Sequence, residues 1–197
     1  MDGDGGVALA SVSYTPAELG KRTAATMPLW KNGSFINDAW QVVADDQPVP
    51  EDASVIVSLK RWREERAALA GRNAPLGLLI APGSIWTDIA ADLPRFPVIA
   101  VTIPKYADGR ALSIARLLRE RDGYAGEIRA IGDYIIDQMP YMVRVGIDAF
   151  VVANPVVEKA LARGEWPEVK EYLQPVAADA AREVPAGKRP WARRKAE

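Results

Sequence analysis

Neither cysteine nor histidine occurs anywhere in the 197 residues. A thiolate nucleophile, a redox disulfide, an iron–sulfur ligand, a haem-ligating imidazole, the usual zinc ligands and a Ser-His-Asp triad are therefore all excluded as contributions of this chain. Long apolar runs are missing as well. The longest, Pro75 to Pro82 and Phe96 to Ile103, fall far short of the ~20 residues that cross a bilayer, so the sequence predicts no membrane span. No Gly-x-Gly-x-x-Gly follows an apolar run and no Gly-x-x-x-x-Gly-Lys-Ser/Thr is present, which removes the common nucleotide signatures. A net basic charge is missing from most of the chain. From Arg182 onward six basic residues face two acidic ones, a local +4, and since the whole chain carries −1, residues 1 to 181 carry −5.

What remains for chemistry is carboxylates, Lys, Arg, Tyr, Ser/Thr and backbone amides, a set suited to anion binding, acid–base work or support of an external partner. With 49% hydrophobic and 26% charged residues, the chain has the composition of a globular domain. The opening Met1-Asp2-Gly3-Asp4-Gly5-Gly6 is acidic and glycine-rich where an export signal is basic and then apolar, which predicts a cytoplasmic protein. Residues 1–26 are expected to be a disordered extension, residues 27–175 a single α/β domain, and residues 176–197 a flexible basic tail.

In Leu29-Trp30-Lys31-Asn32-Gly33-Ser34-Phe35-Ile36, Asn-Gly stands between short apolar pairs, a hairpin signal. Beyond the break at Asp45 to Pro50, short apolar runs alternate with longer amphipathic stretches. Strands are predicted over Val55–Leu59, Leu76–Ala81, Val98–Ile103, Glu127–Ile131 and Ala149–Val152. Helices are predicted over Lys60–Ala70, Ile85–Leu93, Gly109–Arg121, Tyr134–Val145 and Pro155–Ala162. Five strand–helix units imply a parallel sheet. A closed eight-unit barrel takes ~250 residues, so an open, doubly wound sheet with an N-terminal hairpin is expected, with a partial βα barrel as the alternative.

Ligands in parallel sheets bind beyond the carboxyl ends of the strands. The loop after the third predicted strand carries Lys105, Asp108 and Arg110, and the fourth is followed by Asp133 and Gln138. These five, with Arg129, form a candidate anion or ligand site in which Asp108 and Asp133 are the candidate acid or base. Asp108 also suits helix capping. Arg129 lies mid-strand where both faces should be covered, so its charge needs a partner, with Asp133, Asp108 or a bound anion the nearest candidates by topology. Arg116 and Arg119 share a helix face, and with Trp191, Arg193 and Arg194 of the tail they form a candidate docking surface for an acidic protein. Nucleic acid finds little support, because aromatics are not interleaved with Lys and Arg outside the tail.

The strings Ile103-Pro104-Lys105-Tyr106-Ala107-Asp108-Gly109-Arg110, Gly126-Glu127-Ile128-Arg129-Ala130-x-Gly132-Asp133, Asp137-Gln138 and Gly146-Ile147-Asp148-Ala149-Phe150 resemble domain-of-unknown-function family 934, over roughly Met27 to Val152. Tyr106 stands where many members carry Phe. The resemblance implies a bacterial protein of assimilatory sulfate and sulfite reduction, of the kind labelled oxidoreductase and found with sulfite reductase and phosphoadenylyl-sulfate reductase. Because this chain lacks the ligands for the metal centres of sulfite reduction, the expected role is an accessory that assists sulfite reductase, in assembly or electron delivery, by protein–protein contact. No cofactor is expected from the chain itself. The alternative is an enzyme that binds an anionic or phosphorylated ligand, such as a flavin, at the carboxyl ends of the third and fourth strands. A regulatory or structural module unrelated to sulfur is the third reading.

Overall fold

The computed structural model describes residues 27–167. Eight strands form one sheet: β1 (Leu29–Lys31), β2 (Ser34–Ile36), β3 (Gln41–Val42), β4 (Val55–Ser58), β5 (Leu76–Ile80), β6 (Val98–Ile103), β7 (Glu127–Gly132) and β8 (Ala149–Val151). Four α-helices follow strands: α1 (Leu59–Ala70), α2 (Arg110–Glu120), α3 (Met139–Arg144) and α4 (Pro155–Ala162), while Thr87–Arg95 and Ile136–Gln138 are 3₁₀. The 3₁₀ geometry of Thr87–Arg95, where an α-helix is expected, accompanies Pro94, whose ring removes a donor and crowds the preceding turn.

Asn32 and Gly33 both hold positive φ, +52° and +79°. That is the backbone of a two-residue hairpin turn whose twist matches the strands it joins. Trp30 stands opposite Phe35 across the hairpin, ring edge to ring face at 4.8 Å. Each strand from β4 to β6 is buried at every position, as expected of parallel strands covered on both faces.

The sheet order is β2-β1-β8-β7-β6-β5-β4-β3. Strands β3 to β8 are all parallel and appear in chain order, and the antiparallel hairpin extends the sheet beyond β8. This corrects the doubly wound expectation. A doubly wound sheet reverses its strand order at a switch point; here crossovers that always advance in one direction, and that share the usual hand, keep the helices on a single face. On that face Trp62, Leu93, Ala115, Leu118, Met139 and Leu161 pack against Val57, Leu78, Val101, Ala130 and Phe150. The opposite face carries Leu29, Ile56, Leu79, Ala100, Ile131 and Val151. The sheet is an open half-barrel, and β3, a two-residue strand, is an additional parallel member.

Chain length dictates the curl. β2 and β3 lie at opposite edges, yet Ile36 and Gln41 are separated by residues 37–40 alone. Five steps of extended chain reach at most ~18 Å, whereas eight strands laid flat at ~4.8 Å would separate the edges by ~34 Å. The edges must therefore bend toward each other, with residues 37–40 as a strap across the concave side. Trp40 packs over Gly77 of β5: a Cβ there would approach the Trp40 ring to 3.3 Å and the Ile56 side chain to 2.9 Å.

Candidate functional site

The carboxyl ends of β5 to β8 all open at one end of the half-barrel. Gly132 sets the geometry there. Its φ of +142° and the Ile103 carbonyl, against which any Cβ would collide, make a side chain unacceptable. This close approach lets the Asp133 amide donate to the Ile103 carbonyl at 2.8 Å. The Asp133 carboxylate then accepts the Tyr106 amide at 3.2 Å, and the Gln138 side chain donates to the Tyr106 carbonyl at 2.8 Å while accepting from the Ile135 amide. The loops after β6 and β7 are thus stitched into one surface.

Asp108 stands one residue before the α2 N-cap, Gly109. It accepts the Arg110 amide at 3.2 Å and grips the Arg110 guanidinium with both oxygens, at 2.9 and 2.7 Å. The Arg110 hydrogen bond holds the Asp108 carboxyl below its ordinary value. A carboxylate kept charged in this way is a poor proton donor. Lys105 is exposed on the same loop and forms no described ion pair. Among the described residues no group of three or more His, Cys, Asp or Glu side chains is placed to hold a metal ion.

Arg129 does not join this loop cluster. It lies on the concave face of β7, 2% exposed, with Asp38 of the strap at 2.7 Å and Glu127 at 2.8 Å. Glu127 also holds Lys31 at 2.7 Å. Two cations and two anions thus close a neutral cluster at the amino half of the sheet. Burial works against the Glu127 charge, but Arg129 and Lys31 outweigh it and hold its carboxyl below the ordinary value. The expected convergence of Arg129 with Lys105 and Arg110, and its pairing with Asp108 or Asp133, are not observed. Its partner sits on a connecting segment 91 residues away.

Arg116 pairs with Glu120 along α2 at 2.9 Å. Arg119 turns to the amino end of the sheet, donating to the carbonyls of Tyr124 (2.6 Å), Gly126 (2.7 Å) and Gly146 (3.0 Å) and pairing with Asp148. It is a structural staple. Trp191, Arg193 and Arg194 lie outside the described residues.

The feature that residue-by-residue reading missed is apolar. Ile85 after β5, Tyr106 after β6, Ile135 after β7 and Val156 after β8 are all exposed at the carboxyl end, Ile85 at 70% and Val156 at 72%. The sequence carries a large apolar residue shortly after each of four successive strands, in a loop for Ile85, Tyr106 and Ile135 and in the first turn of α4 for Val156. A sequence model of the bacterial protein family of unknown function DUF934 matches residues 77–182, more than half of the chain. The chain belongs to the DUF934 family. Comparison with curated proteins and with solved structures gives no match. The DUF934 region begins on β5 and takes in all four of these residues, whereas the hairpin and the strap precede it.

Proposed function

We propose that this DUF934 protein is an accessory of assimilatory sulfate and sulfite reduction that assists sulfite reductase, in assembly or electron delivery, by protein–protein contact. The observation that carries the reading is the apolar rim of Ile85, Tyr106, Ile135 and Val156. Single exposed apolar residues are ordinary, but one after each of four neighbouring strands at the end of a parallel sheet makes a surface suited to a partner. The pathway comes from the family resemblance. The absence of Cys and His supports assistance over reduction by the chain itself, since the metal centres belong to the partner.

The alternative, an enzyme holding an anionic ligand beyond β6 and β7, loses support once Arg129 is committed to Asp38 and Glu127 and Arg110 to Asp108. Lys105 is the remaining cation of that set without a described carboxylate.

The test joins growth to binding. Deleting the gene should impair growth on sulfate or sulfite, with rescue by cysteine, and Ile85→Asp with Val156→Asp should fail to complement while melting like the parent. The same variant should lose co-purification with sulfite reductase. Normal growth of the deletion strain on sulfate, in a genome with no second copy, removes the pathway; full complementation by the rim variant removes the surface.

A further inference from the structure

At the opposite end of the sheet, where α1 ends and β5 and β6 begin, a pocket of about 390 Å³ opens between Arg72 and Arg95. Its floor is apolar, with Trp62, Leu69, Leu76 and Phe96 each less than a tenth exposed. The Trp62 and Phe96 rings meet edge to face at 4.9 Å. No acidic residue lines it.

The two arginines differ from most others in the fold. Nine described arginines hold a carboxylate, from Arg61 with Glu65 to Arg163 with Glu165. Arg72 and Arg95 hold none. Each instead donates one Nη2 hydrogen to a main-chain carbonyl, Arg72 to Ala53 at 3.0 Å and Arg95 to Ala70 at 3.1 Å. Those bonds fix the guanidinium planes at the mouth without neutralising them. Arg72 keeps a further donor in reserve, because its Nε–H is buried with no acceptor, a state that proteins seldom leave uncorrected.

We propose that this pocket binds a small organic carboxylate with a flat apolar body, the carboxylate between Arg72 and Arg95 and the body over Trp62 and Phe96. Guanidinium forks match carboxylates in shape as well as charge, and the volume lies within the range of small-molecule sites. A modest turn of Arg72 presents its Nε–H to the arriving oxygen. The site is independent of the rim, which lies at the other end of every strand between them.

The experiment titrates the full chain with 1-naphthylacetate and, separately, with its uncharged analogue 1-naphthylacetamide, following the indole and arginine Nε signals in ¹H–¹⁵N spectra. The acid should bind with a Kd below about 1 mM, shift the Trp62 indole and the Arg72 and Arg95 signals, and exceed the amide in affinity by about tenfold. Arg95→Gln, at an exposed position that does not endanger the fold, should remove most of that preference, and Arg72→Gln with Arg95→Gln should reduce the acid to the affinity of the amide. Equal binding of acid and amide to the parent chain overturns the anion site. So do shifts confined to other tryptophans, and so does undiminished acid binding by variants that melt like the parent.

Discussion

Replacing Arg129 by Met tests the clasp that holds the strap to the concave face. The substitution nearly preserves length and removes the charge. Glu127 retains Lys31 at 2.7 Å, but Asp38 is left with only the Trp40 amide, at 3.1 Å, as a described partner. Its side chain is 10% exposed, so the stranded carboxylate stays largely out of water. Breaking a buried pair from one side costs about 3–5 kcal/mol. For a domain of this size that lowers Tm by about 10 °C. Asp38→Asn leaves Arg129 with Glu127 and should cost less, about 1–3 kcal/mol, and the double variant should cost less than the sum of the two singles. Urea unfolding of the full chain measures all three. Hydrogen exchange localises the effect: the amides of Gln41 and Val43, bonded to the Ser54 and Ile56 carbonyls, should exchange faster in either single variant. An Arg129→Met protein within about 1 kcal/mol of the parent, with unchanged exchange at Gln41 and Val43, would show that the pair does not hold the strap.

Gly132→Ala should cost at least about 3 kcal/mol or prevent folding, because the strand cannot retreat from the Ile103 carbonyl; normal yield and melting would refute the close approach. Arg119→Met should lower stability by about 2–3 kcal/mol through three abandoned carbonyls, whereas an unchanged melt with weakened partner binding would return Arg119 to a docking role. Acid should destabilise the fold through Glu127. Its carboxyl titrates lower in the folded chain than at its ordinary value near 4.5, so its contribution is complete above that value and is lost as pH falls through the lower folded one. Urea midpoints between about pH 5 and pH 3 should therefore decline less steeply in Glu127→Gln than in the parent.

The five strand–helix units were legible because buried parallel strands read as short apolar runs and their helices as amphipathic stretches between them. Asn32-Gly33 marked the hairpin for an equally local reason. The winding was not legible, since a strand that advances along the sheet and one that doubles back carry the same pattern. Nor was β3: two residues, Gln41 and Val42, give periodicity nothing to act on. Among the candidate site residues, Asp133 and Gln138 meet through the Tyr106 main chain and Asp108 meets Arg110, all within two adjoining loops. Arg129 was recognised as needing a partner, but Asp38 lies in a polar connector that acquires meaning only when the sheet curls. The Arg72 and Arg95 pocket escaped for a similar reason, because its walls come from the ends of three separate elements.

The place of β1 beside β8 bears on how the chain can be made. Leu29 pairs with Val151, so the first of the described strands to leave the ribosome has its neighbour in the last of them, roughly 6–25 s later at ordinary elongation rates. Through that interval β3 to β7 can assemble in the order of their synthesis, each new strand adding beside the one before, while the hairpin has no edge to join. Because residues 37–40 tether it to β3, the waiting hairpin is confined to a small volume near the growing sheet, and its final docking resembles closure of a short loop more than a search by a free end. Slow translation toward β8 should prolong exposure of the β7 edge and, with it, the window for aggregation.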